Sequence, residues 1–111
     1  MVTATTASLE ALARFGHALS DATRARIMMS LREAPAYPAD LADTLGVTRQ
    51  SISNHLACLR GCGLVVAVRE GRRTRYELAD VRLIHALADL HDLVLTTDPD
   101  ACVEADRNGC C

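Results

Sequence analysis

Asp40-Leu-Ala-Asp-Thr-Leu-Gly-Val-Thr-Arg-Gln-Ser-Ile-Ser-Asn-His-Leu-Ala-Cys-Leu-Arg-Gly-Cys-Gly63 is the stretch that decides the fold. Gly46-Val47 reads as a tight turn, and Thr48 carries the kind of side-chain oxygen that caps a helix. A short helix is expected before the turn, from about Pro38 to Leu45, with Pro38 suited to its first turn. The helix capped by Thr48 should end at Gly63, in the position after a helix that favours glycine. On a wheel of about 100° per residue, Ile52, Leu56 and Leu59 share one apolar face. Two short helices joined by a glycine turn make a helix-turn-helix.

Upstream, Ser8 to Ser20 places Leu9, Leu12, Ala13, Phe15 and Leu19 at helical spacing, with Ser8 as the expected N-cap. A second helix is expected from Asp21 to about Arg32, with Ile27, Met28 and Leu31 apolar, and Ala34-Pro-Ala-Tyr-Pro38 is a break. Downstream, Leu64–Arg69 and Thr74–Leu78 are strand-like and joined by Glu70-Gly-Arg-Arg73, a hairpin pattern. A last helix is expected from about Asp80 to Leu95, with Leu83, Ile84, Leu87, Leu90, Leu93 and Val94 apolar. The order α-α-α-α-β-β-α is mainly helical with one small hairpin, a winged helix-turn-helix. Residues 1–95 are expected to form the folded domain, and residues 96–111 a flexible, acidic, cysteine-containing tail.

A chain of 111 residues allows one domain with a modest core, so a dimer that buries more apolar surface is expected. Half of the residues are apolar and 23% charged, the balance of a folded protein. The net charge of −2 argues against a nucleic-acid partner, but its distribution reverses that. Arginines 49, 60, 69, 72, 73 and 75 face only one acid, Glu70, in that span. Asp98, Asp100, Glu104 and Asp106 lie in the tail. Lysine is absent, which reads as coding bias. The first 20 residues hold Glu10 and Arg14 and no clean apolar run, and no stretch approaches the roughly 18 apolar residues of a membrane span. The expected location is cytoplasmic, with no membrane partner. Five cysteines there are expected to be reduced thiols.

Arg49, Gln50, Ser53 and Asn54 fall opposite the core face, in the half of the helix that enters the major groove; Ser51 and His55 lie on the flank. Arg, Gln and Asn make two-point contacts with base edges. Arg72 and Arg73, with Arg69 and Arg75 nearby, suit phosphate or minor-groove contact. A polar helix face alone is usually just solvated. Here turn, polar tip and basic hairpin occur together in order, which makes double-stranded operator DNA the expected partner. His55 packs or caps as readily as it touches DNA.

Ser51, His55, Cys58 and Cys62 form one stripe, about 60° to 120° from the centre of the core face. Thiols four residues apart are one turn apart and can reach one ion. Free cysteines are most often small buried hydrophobes. The spacing argues otherwise, as do the spare cysteines Cys102, Cys110 and Cys111, each of which can supply a third sulfur. Thiolates select soft ions such as Cd(II), Pb(II), Cu(I) or As(III). A helix C-terminus does not help a thiol ionise, so binding should release protons and weaken in acid. A thiol redox or persulfide sensor is the alternative. A Cys58–Cys62 disulfide within one helix has poor geometry, whereas a Cys58–Cys102 or tail disulfide stays open. A metal buffer or interaction module without operator binding is a further alternative. No nucleophile–base motif, phosphate loop or open His/Glu metal site is present, so neither an enzyme nor an organic cofactor is expected.

Five segments carry a family resemblance: Leu19-Ser-Asp-Ala-Thr-Arg-Ala-Arg-Ile27, Asp40-Leu-Ala-Asp-Thr-Leu-Gly46, Ser51-Ile-Ser-Asn-His-Leu-Ala-Cys-Leu-Arg60, Gly63-Leu-Val-Val66 and Gly71-Arg-Arg-Thr-Arg-Tyr76. Over roughly residues 8–95 the chain resembles the ArsR/SmtB family of winged-helix, metal-responsive repressors. The resemblance implies a homodimer built from the first and last helices, repressing efflux or detoxification genes and leaving DNA when metal binds. Cys58-Leu-Arg-Gly-Cys62 is most similar to the cadmium/lead-sensing type of that family. That likeness implies Cd(II) or Pb(II) as effector, bound by Cys58, Cys62 and Cys102 of the partner subunit. Cys110 and Cys111 keep As(III) open, as a second thiol site or a replacement for Cys102; otherwise they belong to a disordered end. Other members place thiols where this chain has Ala34-Pro-Ala-Tyr37, so that site is absent. The last-helix zinc pattern of others is incomplete here, and His85 and His91 are expected on the dimer surface.

Overall fold

The computed structural model describes residues 5–96. Its elements are α1 (Thr6–Leu19), α2 (Ala22–Glu33), α3 (Pro38–Leu45), α4 (Arg49–Gly61), β1 (Val65–Glu70), β2 (Arg73–Leu78) and α5 (Arg82–Thr96). The winged helix-turn-helix order read from the sequence is the observed one.

Short side-chain caps set most boundaries. The α1 cap is Thr5 rather than Ser8: Thr5 Oγ1 accepts the Ser8 N–H at 3.0 Å. Ser8 is thus the third residue of the helix, where an unpaired N–H needs an acceptor. Asp21 caps α2 by accepting the Arg24 N–H at 2.9 Å, and this bond holds its carboxyl below the ordinary range. Arg24 in turn donates to the Ala18 and His17 carbonyls, both at 2.9 Å, closing the end of α1. One arginine therefore ties α1 to α2.

The helix-turn-helix forms as expected. Pro38 opens α3, and Gly46 closes it at φ 68°, a left-handed conformation that a Cβ disfavours. Arg26 on α2 donates to the Leu45 carbonyl at 3.0 Å, pinning the turn from behind. Thr48 Oγ1 accepts the Ser51 N–H at 3.0 Å and starts α4. At the far end Gly63 takes φ +77°. Its N–H donates to Arg60 and the Leu64 N–H to Leu59, both at 3.0 Å, the paired closure that uses left-handed glycine after a helix.

Ile52, Leu56 and Leu59 of α4 are 0–1% exposed and meet Ile27, Met28 and Leu31 of α2, Leu41 of α3, Val65 of β1 and Leu87 of α5 in one core. Each such side chain contributes about 1.5–3 kcal/mol by leaving water. Removing the apolar face of α4 would detach that helix from the rest.

The strands pair antiparallel from Val65↔Leu78 to Glu70↔Arg73. The loop is thus Gly71-Arg72, two residues rather than the four expected. A second difference lies in the Ala34–Pro38 break. Ala36 bridges Tyr76, with N–H···O bonds of 3.0 and 2.8 Å in the two directions, so this segment lies along the edge of β2. Helix α5 starts at Arg82 rather than Asp80; Asp80 instead accepts the Arg82 N–H at 2.8 Å. It runs through Thr96, one residue past the expected helix end at Leu95. Leu9 and Leu12 of α1 and Leu90 and Leu93 of α5 remain exposed. Among the described residues no helix is long and apolar enough to cross a membrane.

Candidate functional site

The turn and core place one polar face of α4 in solvent. Arg49, Gln50, Ser53 and Asn54 are exposed, and Ser51 and His55 are half-buried on the flank. Gln50 Nε2 donates to Asn54 Oδ1 at 3.0 Å, so one turn of helix holds the two amides together. Both keep spare donors and acceptors for a base edge. His55 points back into the protein: its Nε2 lies 3.9 Å from Asp21 Oδ2 at the start of α2. Asp21 is the N-cap of α2, so the partner of His55 lies outside α4.

The hairpin sorts its arginines. Arg72 is exposed at the loop and has no hydrogen-bond or ion-pair partner among the described residues. Arg69 Nε donates to the Gly71 carbonyl at 2.9 Å. Arg73 lays its guanidinium 3.5 Å from the centre of the Tyr37 ring, with Asp40 3.9 Å away. Arg75 pairs with Glu70 at 2.7 Å and Glu77 at 3.7 Å. Tyr37 Oη donates to Glu70 Oε2 at 2.9 Å, and that bond raises the phenol pKa. Sequence reasoning missed Tyr37 and Glu70. Nothing local marks them, since they are 33 positions apart.

Cys58 and Cys62 are free thiols, both half-buried. Cys62 is the C-cap residue and still donates its N–H to the Cys58 carbonyl at 3.0 Å. The helical turn between them is therefore intact, and the two side chains leave the same face. Cys62 also packs against the core. Among the described residues no group of three or more His, Cys, Asp or Glu side chains is placed to hold a metal ion. Two sulfurs of the right softness are present; any third ligand must come from elsewhere. Cys102, Cys110 and Cys111 lie outside the described residues. His85 and His91 are exposed on α5, with His91 beside an apolar hollow lined by Leu19, Met29, Leu87 and Leu90.

Residues 21–67 match the family described as bacterial regulatory protein, arsR family. The HTH-type transcriptional regulator CmtR of Mycobacterium tuberculosis is 55% identical over 97 residues, spanning 87% of this chain and 82% of the relative. The NMR structure of the cadmium metal-sensor CMTR from Mycobacterium tuberculosis superposes with a TM-score of 0.66 at 56% identity, covering 79% of this chain and 92% of that one. A homodimeric winged helix-turn-helix DNA-binding domain from Mycobacterium bovis gives a TM-score of 0.77 at 28% identity, covering 85% and 87%. By that match and that relative, the chain belongs to the arsR family of bacterial regulatory proteins, and it is a transcriptional regulator rather than an enzyme.

Proposed function

We propose that this chain is a homodimeric, metal-responsive repressor that holds operator DNA and lets go when a soft ion, Cd(II) or Pb(II), binds its thiols. One observation carries the reading. The free thiols Cys58 and Cys62 sit one turn apart at the end of the same helix that exposes Arg49, Gln50, Ser53 and Asn54. The similarity to CmtR and to a cadmium sensor supports the metal, and the homodimeric neighbour supports the dimer. The exposed Leu9, Leu12, Leu90 and Leu93 offer α1 and α5 as the apolar faces for that dimer. A regulator of this kind works with DNA in the cytoplasm.

Arg49, Gln50, Ser53 and Asn54, with Ser51 at the flank, read base edges and nearby phosphates in the major groove. Arg72 and Arg73 of the wing take phosphates, with Arg75 behind them. His55 serves α4 by packing toward Asp21. Cys58 and Cys62, with Cys102 of the partner subunit as the third sulfur, are the proposed ligands, and Cys110 or Cys111 are the reserve. The thiols lie at the opposite end of α4 from the DNA-facing side chains. A restraint on them therefore tilts or shifts a rigid rod whose other end must match one turn of DNA in both half-sites. A coupling of about 1–3 kcal/mol suffices for release.

The test is Cd(II) titration of the reduced full-length chain, followed by thiolate-to-metal absorption. Wild type is compared with Cys58→Ser, Cys62→Ser and Cys102→Ser. Loss of absorption intensity and affinity in each variant is expected. Wild-type binding by Cys58→Ser and Cys62→Ser would end the reading. Wild-type binding by Cys102→Ser alone would move the third sulfur to Cys110 or Cys111. Parallel titrations with Pb(II) and As(III) identify the ion. DNA release by oxidant in chelator-treated protein, with none by any ion, would favour the redox sensor.

A further inference from the structure

We propose that Tyr37 is a positioning residue for DNA binding: through its ring and hydroxyl it clamps the wing to the helix-turn-helix and aims Arg73 at the DNA backbone. The inference rests on the reading of the wing as a DNA contact and adds a residue to it.

The clamp has three parts. First, the backbone beside Tyr37 is registered on the wing, because Ala36 exchanges both hydrogen bonds with Tyr76 of β2. Second, the Tyr37 ring carries the Arg73 guanidinium at 3.5 Å, where the negative face of the ring attracts a cation. Third, the Tyr37 hydroxyl donates to Glu70, which in turn holds Arg75 at 2.7 Å. Tyr37 is also the residue immediately before α3, so the same side chain stands at the entrance of the helix-turn-helix. A two-stranded hairpin is marginal by itself. Here one aromatic side chain connects both strands of the wing to the element that presents α4.

The arrangement has an electrostatic consequence. A flexible arginine loses rotamer freedom when it is ordered on a phosphate. Arg73 is already stacked on the ring, and its edge remains to donate, with Asp40 3.9 Å from one of its nitrogens. Stacking leaves the in-plane N–H donors of a guanidinium free, so it is compatible with a phosphate bond. Glu70 would repel DNA if it stood alone. Its charge is instead offset by Arg75, and the tyrosine hydroxyl donates a hydrogen bond to its other oxygen.

The experiment uses full-length protein and a fluorescein-labelled duplex that the wild type selects from a randomised pool. Anisotropy is measured over a range of salt, and thermal unfolding in parallel. Tyr37→Phe keeps the ring face and loses only the exposed bond to Glu70, so it should bind more weakly than wild type by no more than about twofold. Tyr37→Leu keeps apolar bulk but removes the face, and should bind about fivefold more weakly, as expected for loss of an exposed cation–ring contact. The deciding readout is the cycle with Arg73→Ala. In that background Tyr37→Leu should cost nothing further, which a general loss of stability could not produce. Equal losses with and without Arg73 overturn the proposal, as does wild-type binding by Tyr37→Leu while Arg73→Ala binds weakly. If Arg73→Ala and Arg72→Ala both bind with wild-type affinity and salt dependence, the wing reading itself fails, and the positioning role falls with it.

Discussion

Arg72→Ala should weaken DNA binding without touching the fold. Arg72 is exposed on the two-residue loop and has no partner among the described residues, so stability should change by less than about 0.5 kcal/mol. Each phosphate neutralised by a cation contributes about 0.9 to the slope of log affinity against log salt. A dimer has two wings, so the slope should fall by about 1.8. Referred to about 1 M salt, where this term vanishes, that is roughly a 30-fold loss at 0.15 M. The assay is anisotropy of a labelled operator duplex, titrated at several salt concentrations. Arg75→Ala is the internal comparison. Its charge already sits between Glu70 and Glu77, and its slope should change less. An unchanged slope in Arg72→Ala would refute the argument that Arg72 binds phosphate, whatever happened to the affinity.

Other outcomes follow from the same geometry. Ile52→Ala should cost about 2–5 kcal/mol of stability, because Ile52 is fully buried between α4 and the core; a urea midpoint equal to wild type would contradict this. Thr48→Ala should cost about 1 kcal/mol by leaving the Ser51 N–H without its acceptor, measured by the same denaturation. The Arg82 guanidinium on Asp80 draws that carboxyl from 3.8 to about 2. A depressed folded-state value stabilises above the unfolded one and is lost as pH falls through it. This contribution is therefore intact above pH 3.8 and disappears toward pH 2. Thermal unfolding between those limits should fall less steeply in Asp80→Asn, and parallel curves would contradict the assignment.

The parts of the fold visible in the sequence were those with short-range causes. Gly46, Thr48 and Gly63 each act on their nearest neighbours, and Ile52, Leu56 and Leu59 repeat at the helical period. The α4 face, its flank and the half-buried thiol stripe are therefore legible in the sequence. The miss at the start of α1 is of the same kind. Thr5, Thr6 and Ser8 are all capping residues, and only the geometry selects Thr5. Long-range pairings left no local mark. The Ala36–Tyr76 bridge, the Tyr37–Glu70 bond and the His55–Asp21 approach join residues that periodicity cannot relate. The wing showed as a basic loop, but its division into Arg72, without a partner among the described residues, and three held arginines depends on those pairings. Cys102, Cys110 and Cys111 rest on chemistry and resemblance alone.

The most direct measurement is operator-DNA anisotropy at fixed salt, with Cd(II), Pb(II) and As(III) titrated into complexes of reduced wild type, Cys58→Ser and Cys62→Ser. The account predicts that Cd(II) or Pb(II) releases the wild type, with both serine variants staying bound at the same ion concentration. Equal release of all three proteins would contradict it, since Cys58 and Cys62 would then have no part in the switch.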